Sequence, residues 1–197
     1  MSKYVRTLQK QDINKAHSVL NRYGASPFDF FLIQFDQTYY NTMLDELTKE
    51  VVEKLFTDTL LFIKVILGDK LKNVDTVVLM VELEHILNDL KHDMVSFRIM
   101  FVGKNLKEFR NTLKKPLDYY ITEKIGGTMS MTYLNKQTYS DVLTELLPIF
   151  DQTIQNPKKR PTEERKYYSD DLYQMTLDPV RLINPADLLD GKLNIKW

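Results

Sequence analysis

The stretch from Asp93 to Leu134 constrains the fold most, because only there do alternating apolar residues and a tight-turn signal occur together. Val95, Phe97, Ile99 and Phe101 alternate with Ser96, Arg98, Met100 and Val102, the period of two that a half-buried strand requires, and Gly103 closes the run. The odd-numbered face is the expected core face. From Asn105 to Lys115 the spacing changes to that of a short helix, with Leu106, Phe109 and Leu113 on one side, and Pro116 is expected to end it. Leu117, Tyr119 and Ile121 then alternate toward Gly126-Gly127, after which Thr128 to Leu134 returns. A Gly-Gly pair supplies the positive φ angles of a hairpin turn, so the segment predicts a small antiparallel sheet of three strands over about 94–134.

The rest of the chain reads as mainly helical, giving an α+β class. Asp12 to Tyr23 has helical spacing and is followed by Gly24, and Ser26-Pro27-Phe28-Asp29 has the order of cap, proline and acid that opens a helix. The segment beyond, through Phe31 and Phe35, is too densely apolar for a solvated face, so it is central in the core or docked on a partner. Thr38 to Phe56 carries the apolar stripe of the longest expected helix. Leu60 to Leu67 is a continuous apolar run that periodicity cannot decide, and it is taken as helix. A further helix is expected from Asn73 or Asp75 to about Lys91, and another from Thr138 to Ile154.

Beyond residue 155 the character changes. Asn156-Pro157, Arg160-Pro161, Asp178-Pro179 and Asn184-Pro185 interrupt a segment that still carries Leu188, Leu189, Ile195 and Trp197. The expected organisation is therefore a domain over 1–155 and an extended C-terminal arm over 156–197 that must lie on a surface. A short helix capped by Asn184, with Pro185 at its first position, would present the two leucines.

Lys plus Arg and Asp plus Glu number 27 each, so no global field steers the chain toward nucleic acid or an acidic membrane. There is no cysteine, which excludes disulfides and thiolate chemistry. No apolar run approaches the roughly 20 residues that span a bilayer, and MSKYVRTLQKQDINK has no apolar signal core. The expected location is cytoplasmic or within an assembled particle, with no membrane contact and no secretion by a signal peptide.

Glu82, His85, Asp89, His92 and Asp93 would share about a third of a helix circumference, a geometry open to a metal. No second Glu-x-x-His pair exists to complete a carboxylate-bridged site, so the row is read as a solvated face and no metal or cofactor is expected. Lys104, Lys107, Arg110, Lys114 and Lys115 with Tyr119, Tyr120 and Tyr133 would make a stacking-plus-phosphate surface for a single strand, the weaker alternative given the balanced charge. Lys158-Lys159-Arg160 is read as solvated linker.

No nucleophile pairs with a base, and only 3 histidines exist, so the chain reads as non-catalytic. The expectation is a structural or assembly subunit, in the form of a virus or phage particle component, that binds other protein chains, copies of itself included. Its candidate anchors are Phe28, Phe31 and Phe35 in the aromatic segment and Leu188, Leu189, Ile195 and Trp197 in the arm.

Overall fold

Runs that are apolar at every position belong in a strand buried on both faces, and two such runs form the centre of this protein. The computed structural model describes residues 3–5, 28–40, 47–86, 92–137, 175 and 180–197. Phe28–Tyr40 (β2) and Val74–Ile86 (β3) flank His92–Gly103 (β4). Thr128–Gln137 (β5) lies on the far side of β2, and Lys3–Val5 (β1) and Val180–Ile183 (β6) share the far side of β3. All pairings are antiparallel, and the described strands make one six-stranded sheet in the order β1-β3-β4-β2-β5, with β6 pairing Val77–Met80 of β3, away from the Glu84–Ile86 stretch that pairs with β1.

The fold class expected from sequence is thereby corrected: the sheet is not a three-stranded adjunct to helices but the centre of the molecule. Phe28 to Phe35 is strand rather than helix because both of its faces are covered. Phe31, Ile33 and Phe35 enter the core beneath the helices, while Phe28, Phe30 and Leu32 are buried on the opposite side of the sheet. The same holds for β3, where Val77, Leu79 and Val81 face one way and Val78 and Met80 the other.

Among the described residues, two long helices cover one face. Lys49–Leu67 (α1) is capped by the Thr48 hydroxyl, which accepts the Val51 N–H at 3.4 Å, and it ends at Gly68, where φ is 50°. Leu60 to Leu67 is its second half, as expected, whereas 38–40 belong to β2. Its inward row of Val52, Phe56, Leu60 and Ile63 meets the odd residues of β4, and Phe56 sits edge-on to Phe97 at 5.6 Å. Lys107–Tyr120 (α2) buries Phe109, Leu113 and Leu117, with Phe109 edge-on to both Phe31 and Phe101 at 5.8 Å. Pro116 does not end α2. The missing N–H costs one bond, and burial of Leu117 and Ile121 beyond it holds the next turns on the core.

Leu117 to Ile121, expected as a strand, therefore completes α2 and a π-type turn, Ile121–Ile125. Gly126-Gly127 joins a helix to β5 rather than two strands. Gly126 takes the left-handed conformation at φ 75°, and the Gly127 N–H closes onto the Ile121 carbonyl at 3.1 Å.

Residues 180–197 are part of the domain rather than an extended arm. β6 joins the sheet, and Pro185–Asp190 (α3) is capped as expected, the Asn184 side chain accepting the Ala186 N–H at 3.0 Å. The helices expected at 12–23 and 138–154, the boundary at 155/156, His17, Asp89 and the Lys158-Lys159-Arg160 cluster lie outside the described residues.

Candidate functional site

The residues expected to bind a partner are turned inward. Phe28 is 1% exposed, and Phe31 and Phe35 are fully buried in β2, so none is offered to another chain. Leu188 and Ile195 are buried in the helix-side core, with Leu189 and Trp197 packed against it. The Trp197 indole stacks on Phe56 at 5.4 Å and lies under the Arg181 guanidinium at 5.0 Å. The Glu53 carboxylate accepts the Trp197 N–H at 2.6 Å and pairs with Lys196 at 3.4 Å. These contacts lie within the protein's own core.

The change of secondary structure removes the helical row on which the metal reading was based. Glu82 and His85 lie on β3 and His92 and Asp93 on β4, with His85 opposite Asp93 in register and Glu82 opposite Ser96. Helical spacing does not apply to them. Among the described residues no group of three His, Cys, Asp or Glu side chains is placed to hold a metal ion.

On the face of the sheet away from the helices, Gln34, Asp36, Ser96 and Arg98 form a polar chain. Arg98 donates to Gln34 Oε1 at 2.9 Å, Gln34 donates to Asp36 at 3.2 Å, and the Ser96 hydroxyl donates to the same carboxylate. Its members satisfy one another, as buried polar groups must. These bonds tie β2 to β4 across the face of the sheet away from the helices.

The tyrosines of the nucleic-acid alternative are separated. Tyr119 is exposed, Tyr120 stacks on Phe62 at 4.4 Å, and the Tyr133 hydroxyl donates to Asp29 at 3.2 Å. Burial, reinforced by the Asp29 charge, pushes the Tyr133 phenol up to about 12. Asp29 is itself buried and also accepts the Leu106 N–H at 2.8 Å, fastening the start of α2 to β2. No stacking platform results.

Of the five cations, α2 brings three together. Thr112, bonded by Lys70 at 2.8 Å, and Tyr120, stacked on Phe62, mark the flank of α2 turned to α1. With about 100° per residue, Lys107, Arg110 and Lys114 fall on the opposite flank, with the exposed Asp118 among them. Since α1 sits over β4 and α2 crosses β2 and β4, that flank faces β5. Lys104 belongs to the preceding turn, its N–H bonded to the Asn73 carbonyl at 3.0 Å, and Lys115 points outward. None of the five is in an ion pair among the described residues.

The position of β5 is the feature that residue-by-residue reasoning missed: Thr128 to Leu134 was expected as a strand, but one paired with Leu117 to Ile121 rather than with β2. β5 is ten residues long, pairs with β2 along one side, and has no strand on its other side among the described residues. Met129, Met131 and Tyr133 pack partly against the helix-side core, while Thr128, Ser130 and Thr132 are exposed. Its half-apolar alternation, against the fully apolar β2 and β3, is the sequence signal of an outer strand.

No family model and no curated protein matches the sequence. Among solved structures, a chain described as a "putative aminohydrolase from methicillin resistant Staphylococcus aureus" is similar over 57% of this chain, at 13% identity and a TM-score of 0.31. The match spans 30% of that chain's length. A likeness this low carries no argument about fold or chemistry. No helix among the described residues is long and apolar enough to cross a membrane.

Proposed function

We propose that this chain is a non-catalytic structural or assembly subunit that binds another protein chain along the outer side of β5. The observation that supports this reading is the state of that edge. An outer strand presents a row of N–H and C=O groups that template another strand, and proteins protect such edges with proline, bulges, inward charges or lysine. Thr128 to Leu134 carries none of these devices and keeps an even register with β2; the register shift and Lys136 come after it, between Leu134 and Gln137. An edge left in this condition is suited to strand addition.

The test is a selection of displayed linear peptides on the immobilised protein, followed by resynthesis of the enriched sequences with N-methyl groups at alternate backbone positions. Strand addition predicts enrichment of extended sequences whose affinity is lost on N-methylation. Enriched peptides that bind equally well when N-methylated, or a selection that enriches nothing, would contradict it.

A further inference from the structure

We infer that the occupant of the β5 edge is an extended acidic segment of a partner protein, held by main-chain bonds to β5 and by side-chain charge on α2. The inference rests on the docking reading above and adds the chemistry of the partner.

An added strand lies about 5 Å beyond β5, with alternate side chains on the helix side of the sheet. That row emerges beside Lys107, Arg110 and Lys114, the flank of α2 that faces β5. The uncharged stretch of β5 contributes no selectivity of its own, so the cations decide which strand is accepted. Acidic residues at alternate positions meet them, and basic residues at those positions are repelled.

The same flank argues against a second copy of this chain. Antiparallel pairing of two β5 edges requires a two-fold axis perpendicular to the sheet, which keeps both sets of helices on one side. Lys107, Arg110 and Lys114 of one copy, three charges against the single Asp118 on the same flank, would then confront the same residues of the other across the axis, without a counter-charge from β5. Nucleic acid would use the cations but not the open main-chain groups, since it has no strand to add.

The probes are an alternating Glu-Thr octapeptide, its N-methylated form, an alternating Lys-Thr octapeptide and an oligothymidine, each titrated onto the full chain by fluorescence anisotropy. The expected result is binding of the Glu-Thr peptide, abolished by N-methylation, with the Lys-Thr peptide at least about tenfold weaker. The paired variant Arg110→Glu/Lys114→Glu, at two exposed positions, should reverse that preference while leaving the melting temperature close to wild type. Each lost charge contact at an exposed site is worth a factor of about two to five.

Equal binding of both peptides, each sensitive to N-methylation, would overturn the acidic partner while leaving the docking edge intact. Tight oligothymidine binding that competes with a peptide insensitive to N-methylation would make the α2 flank a nucleic-acid site and overturn both. Failure of the Glu-Thr peptide to bind would overturn the inference, while the peptide selection would still decide the docking reading separately.

Discussion

Trp197 stacks on Phe56 with ring centroids 5.4 Å apart and planes 17° apart, so the far end of the sequence closes over the middle of α1. Phe56 in turn sits edge-on to Phe97 of β4, which makes the indole the outer layer of a continuous aromatic stack over the sheet. Replacing Trp197 with alanine should cost about 2 kcal/mol, below the full range for a buried aromatic because the indole is only partly covered. Trp197→Phe, which keeps a ring on Phe56, should recover much of it. Urea denaturation followed by far-ultraviolet circular dichroism measures both, and an unchanged midpoint for the alanine variant would show that the stack contributes nothing.

A shortened chain gives the companion result. Because β6, Leu188 and Ile195 belong to the sheet and core, ending the chain at Gln155 should lower the melting temperature steeply. A shortened protein that melts like the full chain would restore the separate arm.

Asp29 joins three elements through one carboxylate, accepting from Leu106 at 2.8 Å and from Tyr133 at 3.2 Å. Asp29→Ala should destabilise by about 1–3 kcal/mol, since it strands a buried N–H at the start of α2 and a phenol beneath it. Chemical denaturation of this variant beside Tyr133→Phe, which removes only the second bond, separates the two contributions.

The Tyr133 phenol gives a pH signature. Its value of about 12 in the folded protein lies above the ordinary tyrosine value. The folded state therefore holds this proton more tightly than the unfolded state. Its contribution to stability is fully present below about pH 10 and is lost as pH rises toward 12. Absorbance titration should show one late-ionising tyrosine that disappears in Tyr133→Phe. Its persistence in that variant would assign the late phenol elsewhere.

Gly103 ends β4 against the turn that opens β3. A Cβ there would collide with the Asn73 carbonyl oxygen, a backbone atom that cannot swing away. Gly103→Ala should therefore cost about 1–3 kcal/mol in shifted backbone. Gly126→Ala, whose strain comes from φ alone, should cost nearer 1 kcal/mol. Comparing the two denaturation midpoints tests that order.

Which elements were legible in the sequence follows from how many of their faces are covered. β4 was located from its odd-numbered core face because Ser96 and Arg98 keep an alternation visible, but it is not half-buried, since Ser96, Met100 and Val102 are buried too. α2 was located from Phe109 and Leu113 but runs past Pro116. β2 and β3 were misread because burial on both faces erases the alternation that marks a strand. Leu117 and Ile121 fit both a strand and the four-residue step of a helix. Tyr119 between them is exposed and the other two are fully buried, as a helix requires.

The site was less legible. The α2 cations were visible as a cluster, but their division into a β5-facing row and two outliers depends on which flank meets α1. Leu188, Ile195 and Trp197 were visible as residues that must be covered. Composition alone does not say whether the cover is a neighbour or the protein's own Phe56 and Glu53.

The account depends most on β5 having an open side, and amide hydrogen exchange of the isolated protein, read residue by residue by NMR, tests this most directly. Between Thr128 and Leu134, amides bonded to β2 should be protected, and those on the outer side, at every other position, should exchange at rates close to the unfolded chain. Addition of the Glu-Thr octapeptide should slow the outer set alone. Uniform protection of all amides from Thr128 to Leu134 in the free protein would mean that the edge is already covered, and the docking reading would be wrong.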